Sequence, residues 1–119
     1  MLAKLKLGNK LVEIPDIEPA SGIKRFTGLM FKPKETNALL FSFDKPTKTP
    51  IHSLFCKDFL AIWLDENNKI IEYKMINSVK LSIKPTKDFV KLLEIPLNDK
   101  YCSIIKIFDE KTLKYVQGL

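Results

Sequence analysis

The strongest constraint on this chain is its punctuation. Short apolar runs are cut by Pro, Gly, Asn and Asp at intervals of roughly 8 to 12 residues, the spacing of sandwiches and barrels. Leu2 to Leu7 and Leu11 to Ile14 alternate apolar with charged residues around Gly8-Asn9-Lys10, which predicts a hairpin whose turn uses the positive φ open to Gly and Asn. Asn37 to Phe43 is continuous and bulky, as a strand covered on both faces is, and Asp44 to Pro50 reads as a basic, exposed loop. Ile51 to Phe55 and Phe59 to Leu64 follow as two strands or one bent strand, and Asp65 to Asn68 turns the chain into Lys69 to Ile76 as a second hairpin. Val79 to Ile83, Phe89 to Ile95, Tyr101 to Phe108 and Leu113 to Val116 complete about eight or nine expected strands. Pro15 to Pro19 interrupts any sheet, and Ser21 caps one short helix over residues 21–28 that Gly28 ends. The expected fold is mostly β: an open or distorted barrel, or bent sheets, with one short helix.

The 119 residues suit one domain, and 45% hydrophobic against 29% charged residues excludes a disordered chain. Residues 1–10 alternate Leu with Lys and build no secretory signal, and no window resembles a membrane span, so a cytoplasmic setting is expected. Cys56 and Cys102 lie in apolar runs without CxxC or Cys/His spacing and read as buried free thiols. The net charge of +6 permits an anionic partner, yet Arg25 is the only arginine, which weakens a phosphate footprint.

Four segments in order resemble a known family. Arg25-Phe26-Thr27-Gly28-Leu29-Met30-Phe31-Lys32, followed by Ala38-Leu39-Leu40-Phe41-Ser42-Phe43, resembles the R-x-x-G-L-M-F-R…L-L-F-x-F signature of the family catalogued as domain of unknown function 192. Ile51-His52-Ser53-Leu54-Phe55 is similar to the I-H-M-F-F segment of its archaeal-type members, Ile62-Trp63-Leu64-Asp65 to V-F-L-D, and Lys91-Leu92-Leu93-Glu94-Ile95-Pro96 to Y-V-L-E-L-P. The resemblance implies a small β-rich domain and carries no established activity. Two departures mark a divergent member. Lys57-Asp58-Phe59-Leu60 is one residue short, which puts Leu60 where the family has an acid and leaves Asp58 as its substitute from a shifted backbone. Leu97 to Leu119 also lacks the glycine after the L-E-L-P strand and the late Gly-Asp pair.

The remaining chemistry is sparse. Arg25, directly before Gly28-Leu29-Met30, offers a planar fork either for an anion or for an internal carboxylate such as Glu94. His52 is the sole histidine and the natural proton carrier near neutrality, but no nucleophile accompanies it in a motif. His52 and Cys56 on one regular strand would stand about 13 Å apart, too far for a dyad. One histidine with scattered acids does not make a zinc site, and nothing Gly-rich supports a nucleotide, so no metal or cofactor is expected. Lys32, Lys34, Lys45, Lys48 and Lys57 surround Phe31, Phe43 and Phe55, the raw material of an RNA or single-stranded DNA surface, although those aromatics occupy core positions of strands. The expected function is a non-catalytic ligand-binding or interaction module, with Arg25, His52, Glu94, Lys32 and Asp58 as the candidate set. Its partner would be a small anion or another protein. A basic nucleic-acid binder and a small enzyme using Arg25, His52 and Glu94 are the alternatives.

Overall fold

The computed structural model describes residues 1–20, 28–29, 32–33, 35–53, 56–77 and 82–117, with the side chains of 110–117 excepted. Residues 21–27 of the helix expected over 21–28, which include Arg25, and Phe31, Lys34 and Phe55 lie outside the described residues. The fold is mostly β, with one two-stranded and one five-stranded sheet that do not close into a barrel.

β1 (Ala3–Leu7) and β2 (Lys10–Ile14) form the expected antiparallel hairpin, with Gly8 at φ 61° in its turn. The large sheet contains β3 (Glu18–Pro19), β4 (Leu39–Thr47), β5 (Phe59–Leu64), β6 (Ile70–Ile76) and β7 (Phe89–Pro96), in spatial order β3-β4-β7-β5-β6. All its pairings are antiparallel except β3 with β4. Every residue of β5 is buried, because both faces of the sheet are covered, and this is what its unbroken Phe-Leu-Ala-Ile-Trp-Leu run encodes. The β5–β6 turn is made by Asp65, whose Oδ1 accepts from the amides of Asn67 (2.8 Å) and Lys69 (2.9 Å), with Asn68 at φ 63°.

One face packs Leu60, Ile62, Leu64, Leu93 and Ile95 against the β1–β2 hairpin and a C-terminal helix, α1 (Cys102–Gln117). The opposite face packs Phe59, Ala61, Trp63, Leu92, Leu39 and Phe41 beneath Ala20, Leu29 and Ile83.

Several expectations are corrected. Tyr101 to Phe108 and Leu113 to Val116 are helical, not strands. Tyr101, Ile104 and Phe108 are buried while Cys102, Ser103, Lys106, Ile107 and Asp109 are exposed, a 3.6-residue rhythm that the β-branched Ile104, Ile105 and Ile107 disguise. Asn98 opens this segment by accepting the Tyr101 amide on its side chain (3.3 Å), a cap that Asn-Asp advertises in the sequence. With that pair helical, seven strands remain among the described residues. The expected strands at 51–55 and 79–83 are represented there by a single Ile51–Ile83 bridge, residues 54–55 and 78–81 being outside them. β4 runs on to Thr47, through a register shift, into the segment expected as a loop. The Pro15–Pro19 stretch does join the sheet: Glu18 and Ala20 donate to Ala38 and Leu40 (2.9 and 2.8 Å), and Pro19 falls between them where no donor is needed. Cys102 is exposed on α1 and Cys56 half-buried, so both are free thiols but not both buried.

Candidate functional site

Glu94 is the buried acid of the candidate set, and its position follows from register. It lies on β7 opposite Leu39 of β4 and Ala61 of β5, so its side chain emerges on the face those apolar residues occupy. There it is 4% exposed, and Gly28 roofs it. Gly28 has φ 55°, and a Cβ at that position would stand 2.7 Å from Glu94 Oε1, so both the backbone conformation and the close approach require glycine. The next residue, Leu29, donates its amide to the Glu94 carboxyl, but burial outweighs that bond and raises the pKa from 4.5 to about 8. At neutral pH Glu94 is mainly an uncharged acid.

Cys56 sits close enough to feel Glu94, and burial followed by that carboxylate raises its thiol to about 11. A thiol held there is a poor nucleophile. Its amide donates to Ser53 O (3.1 Å). His52 itself is half-buried beside the Ile51–Ile83 bridge.

Lys32 and Asp58 come to one place. Together with Leu29, Lys57 and Pro96 they line a cleft at the outer edge of the Glu94 site. Lys32 donates its amide to Leu29 O (3.1 Å), and Asn98 Nδ2 reaches Thr36 O (3.0 Å), which pins the segment above the sheet. Among the described residues the cleft holds about 10 Å³, space for about one water. The structure thus brings Lys32, Asp58 and Glu94 to one region of the fold. Arg25 is outside the described residues, and His52 is not among the residues lining the cleft. No group of three His, Cys, Asp or Glu residues able to hold a metal ion occurs among the described residues.

Of the aromatics expected near nucleic acid, Phe43 packs edge-on against Phe89 with ring centroids 5.4 Å apart, which commits that ring to the core rather than to base stacking.

A larger concave surface lies where sequence reasoning placed nothing. A groove of about 600 Å³ follows the outer edge of β6, floored by Tyr73, Lys74, Met75 and Ile76. Ser82, Ile83 and Lys84 wall one side, and Asp109 of α1 stands on the other. The first wall is tied down, because Lys74 Nζ donates to Lys84 O (3.1 Å) and Glu72 Oε1 accepts from both the amide (2.9 Å) and the hydroxyl (2.7 Å) of Thr86. Burial, the largest single effect, raises the Glu72 carboxyl, but the two Thr86 bonds and the neighbouring Lys74 together bring it below its ordinary pKa. Beneath this wall Trp63 is fully buried, with its Nε1 lacking an acceptor among the described residues, and Lys74 Nζ lies 5.9 Å from its ring centroid. The groove was illegible in the sequence because its second wall is a helix read as strand.

No helix among the described residues is long and apolar enough to cross a membrane. No family model and no curated protein matches the sequence. Two solved structures share the architecture. A candidate transcription regulator from Sinorhizobium meliloti 1021 superposes with a TM-score of 0.68 over 87% of this chain and 83% of its own, at 12% identity. A protein of unknown function from Novosphingobium aromaticivorans DSM 12444 gives 0.65 over 80% and 71%, at 13% identity. At these identities the likeness establishes a common fold.

Proposed function

We propose that this chain is a small non-catalytic interaction module that engages another protein through the groove along β6. The observation that carries the reading is a contrast between two places. Among the described residues, Glu94 is buried with its pKa raised to about 8, and the cleft beside it that Lys32 and Asp58 line has room for about one water. The β6 groove is open, about 600 Å³, and lined by both apolar and charged side chains. Glu94 and Gly28 then act as a structural lock that sets the segment over the sheet, and Lys32 and Asp58 are the rim of that lock.

The resemblance to the domain of unknown function 192 family belongs to the same proposal. Its signature positions are packed on one another: the glycine of G-L-M-F covers the glutamate of L-E-I-P, and Leu39 of the L-L-F-x-F run flanks that glutamate. Leu60 is fully buried on the helix side of the sheet, while Asp58 is exposed at the cleft. These positions support Asp58 rather than Leu60 as the counterpart of the family's acid in this reading. An exposed free thiol at Cys102 fits the reducing cytoplasm.

Amide chemical-shift mapping tests the function. A displayed library of random heptapeptides should yield binders whose shifts cluster at Tyr73–Ile76 and Ser82–Lys84. Shifts at Leu29, Lys32 and Lys57 on adding citrate, phosphate or oligouridylate, with no peptide mapping to the groove, would replace this reading by the small-anion or nucleic-acid one.

A further inference from the structure

The way a partner enters the groove follows from the strand at its floor. β6 ends the five-stranded sheet, so one side of its backbone has no strand beside it among the described residues beyond the Lys6–Lys69 bridge at its start. An edge strand presents unpaired N–H and C=O groups at alternate residues, and proteins ordinarily guard such edges with proline, charge or a cover. The open part of β4 is guarded in this way, by Asp44-Lys45-Pro46. β6, Ile-Ile-Glu-Tyr-Lys-Met-Ile, contains no proline, and its two charges, Glu72 and Lys74, are engaged by Thr86 and by Lys84 O.

We propose that the groove accepts an extended peptide segment of a partner protein as a sixth strand of the sheet, with acidic side chains turned toward the Lys74–Lys84 wall. This rests on the reading of β6 as the interaction site and adds the mode and the chemistry of the partner. Four consecutive β6 residues floor the groove, a length of about 13 Å at about 3.3 Å per residue. Their backbone supplies affinity that is indifferent to sequence. Side chains of the added strand alternate between the walls. One wall offers the exposed ammonium group of Lys84, beside a Lys74 on the floor that already meets Lys84 O (3.1 Å) and Glu72 (3.5 Å), and the other wall offers the carboxylate of Asp109. Acidic residues at every second position, with apolar ones between them over Tyr73 and Met75, match that arrangement. A second copy of this chain is the poorer occupant, because its own β6 lies at the floor of the same walled groove and two recessed edges do not meet.

The test uses an acetylated, amidated heptapeptide alternating valine with glutamate, and two derivatives N-methylated on either all glutamate or all valine amides. In a strand, one set of alternate amides faces the sheet and the other faces water. Strand addition predicts shifts confined to Tyr73–Ile76 and the 82–84 wall, at least a tenfold loss of affinity for one N-methylated derivative, and little change for the other. Lys84→Glu, an exposed side chain, should weaken the glutamate peptide and strengthen the corresponding valine–lysine peptide, each roughly fivefold. Equal affinity of both N-methylated derivatives would overturn strand addition while leaving the groove as the site. No shift along β6 at millimolar peptide would overturn both, and concentration-dependent dimerisation through β6 would assign the edge to a second copy instead. If Lys84→Glu fails to fold, the paired N-methyl derivatives on the wild-type protein decide alone.

Discussion

Replacing Glu94 by glutamine keeps the shape of the side chain and removes its titration, so the pH dependence of stability reports directly on the lock. In the unfolded chain the carboxyl titrates at 4.5, and in the fold at about 8. Below 4.5 both states hold the proton and the group's contribution is fully present. As pH rises the unfolded state ionises first, and the contribution is lost progressively until the folded state ionises too, near 8. The full slope is about 1.4 kcal/mol per pH unit, and integration between pH 5 and 7 gives a loss of about 2–3 kcal/mol. Other groups titrate equally in the two proteins. Glu72 is shifted downward, so its contribution is lost only as pH falls through the acid range, and Cys56 acts only above its ordinary value of 9.0. Urea unfolding of wild type and Glu94→Gln at pH 5, 6 and 7 should therefore diverge, the wild type losing that amount relative to the variant. Parallel curves would refute the buried, neutral acid, and a wild type that gains on the variant toward pH 7 would mean that an unseen cation holds the carboxylate charged.

Tyr101→Phe removes the hydroxyl that accepts the buried Ala38 amide (2.9 Å) and lies 3.0 Å from both Pro15 O and Asp16 O. The orphaned donor should cost about 1–3 kcal/mol in urea unfolding, and an unchanged midpoint would show that water replaces the hydroxyl. Gly28→Ala should cost about 1–3 kcal/mol from its positive φ and its approach to Glu94, and a double-mutant cycle with Glu94→Ala should recover about 1 kcal/mol as coupling. Phe108→Ala, which empties a fully buried position against Tyr73 (ring centroids 4.9 Å apart), should cost about 3–5 kcal/mol by calorimetry, as a helix packed on the sheet requires. At pH 7.5 a thiol reagent should modify exposed Cys102 quickly and Cys56 slowly, with both reacting alike in urea; equal rates in the native protein would contradict the Cys56 environment.

Where local chemistry dictates structure, the sequence was readable. Gly8 takes positive φ in the first hairpin and Asp65 nucleates the turn of the second, both from residue type alone. The unbroken run of β5 announced a strand buried on both faces. The C-terminal segment failed because three isoleucines in four positions match a strand as well as they match a helix, and the deciding evidence was the Asn98 cap. β4 overran its expected end because pairing to β7 outweighs the local preference of Asp-Lys-Pro for a loop. Pro19 entered the sheet because a parallel edge contact two residues long asks nothing of its missing donor.

The candidate site was legible as residues and not as geometry. Glu94 and Gly28 stand sixty-six positions apart, and nothing local says that one will roof the other; only the β4-β7-β5 order puts Glu94 on the face that Leu29 covers. Once there, the charged chemistry that made Glu94 attractive is suppressed by the burial that positions it, since desolvation raises its pKa more than one amide bond lowers it. The same topology leaves β6 at the edge and brings α1 and the 82–84 segment to either side of it. A groove of this kind has no sequence signature, because its binding groups are backbone amides and carbonyls that every residue carries. On the strand-addition proposal, the binding site is set by which edge the topology leaves uncovered among the described residues.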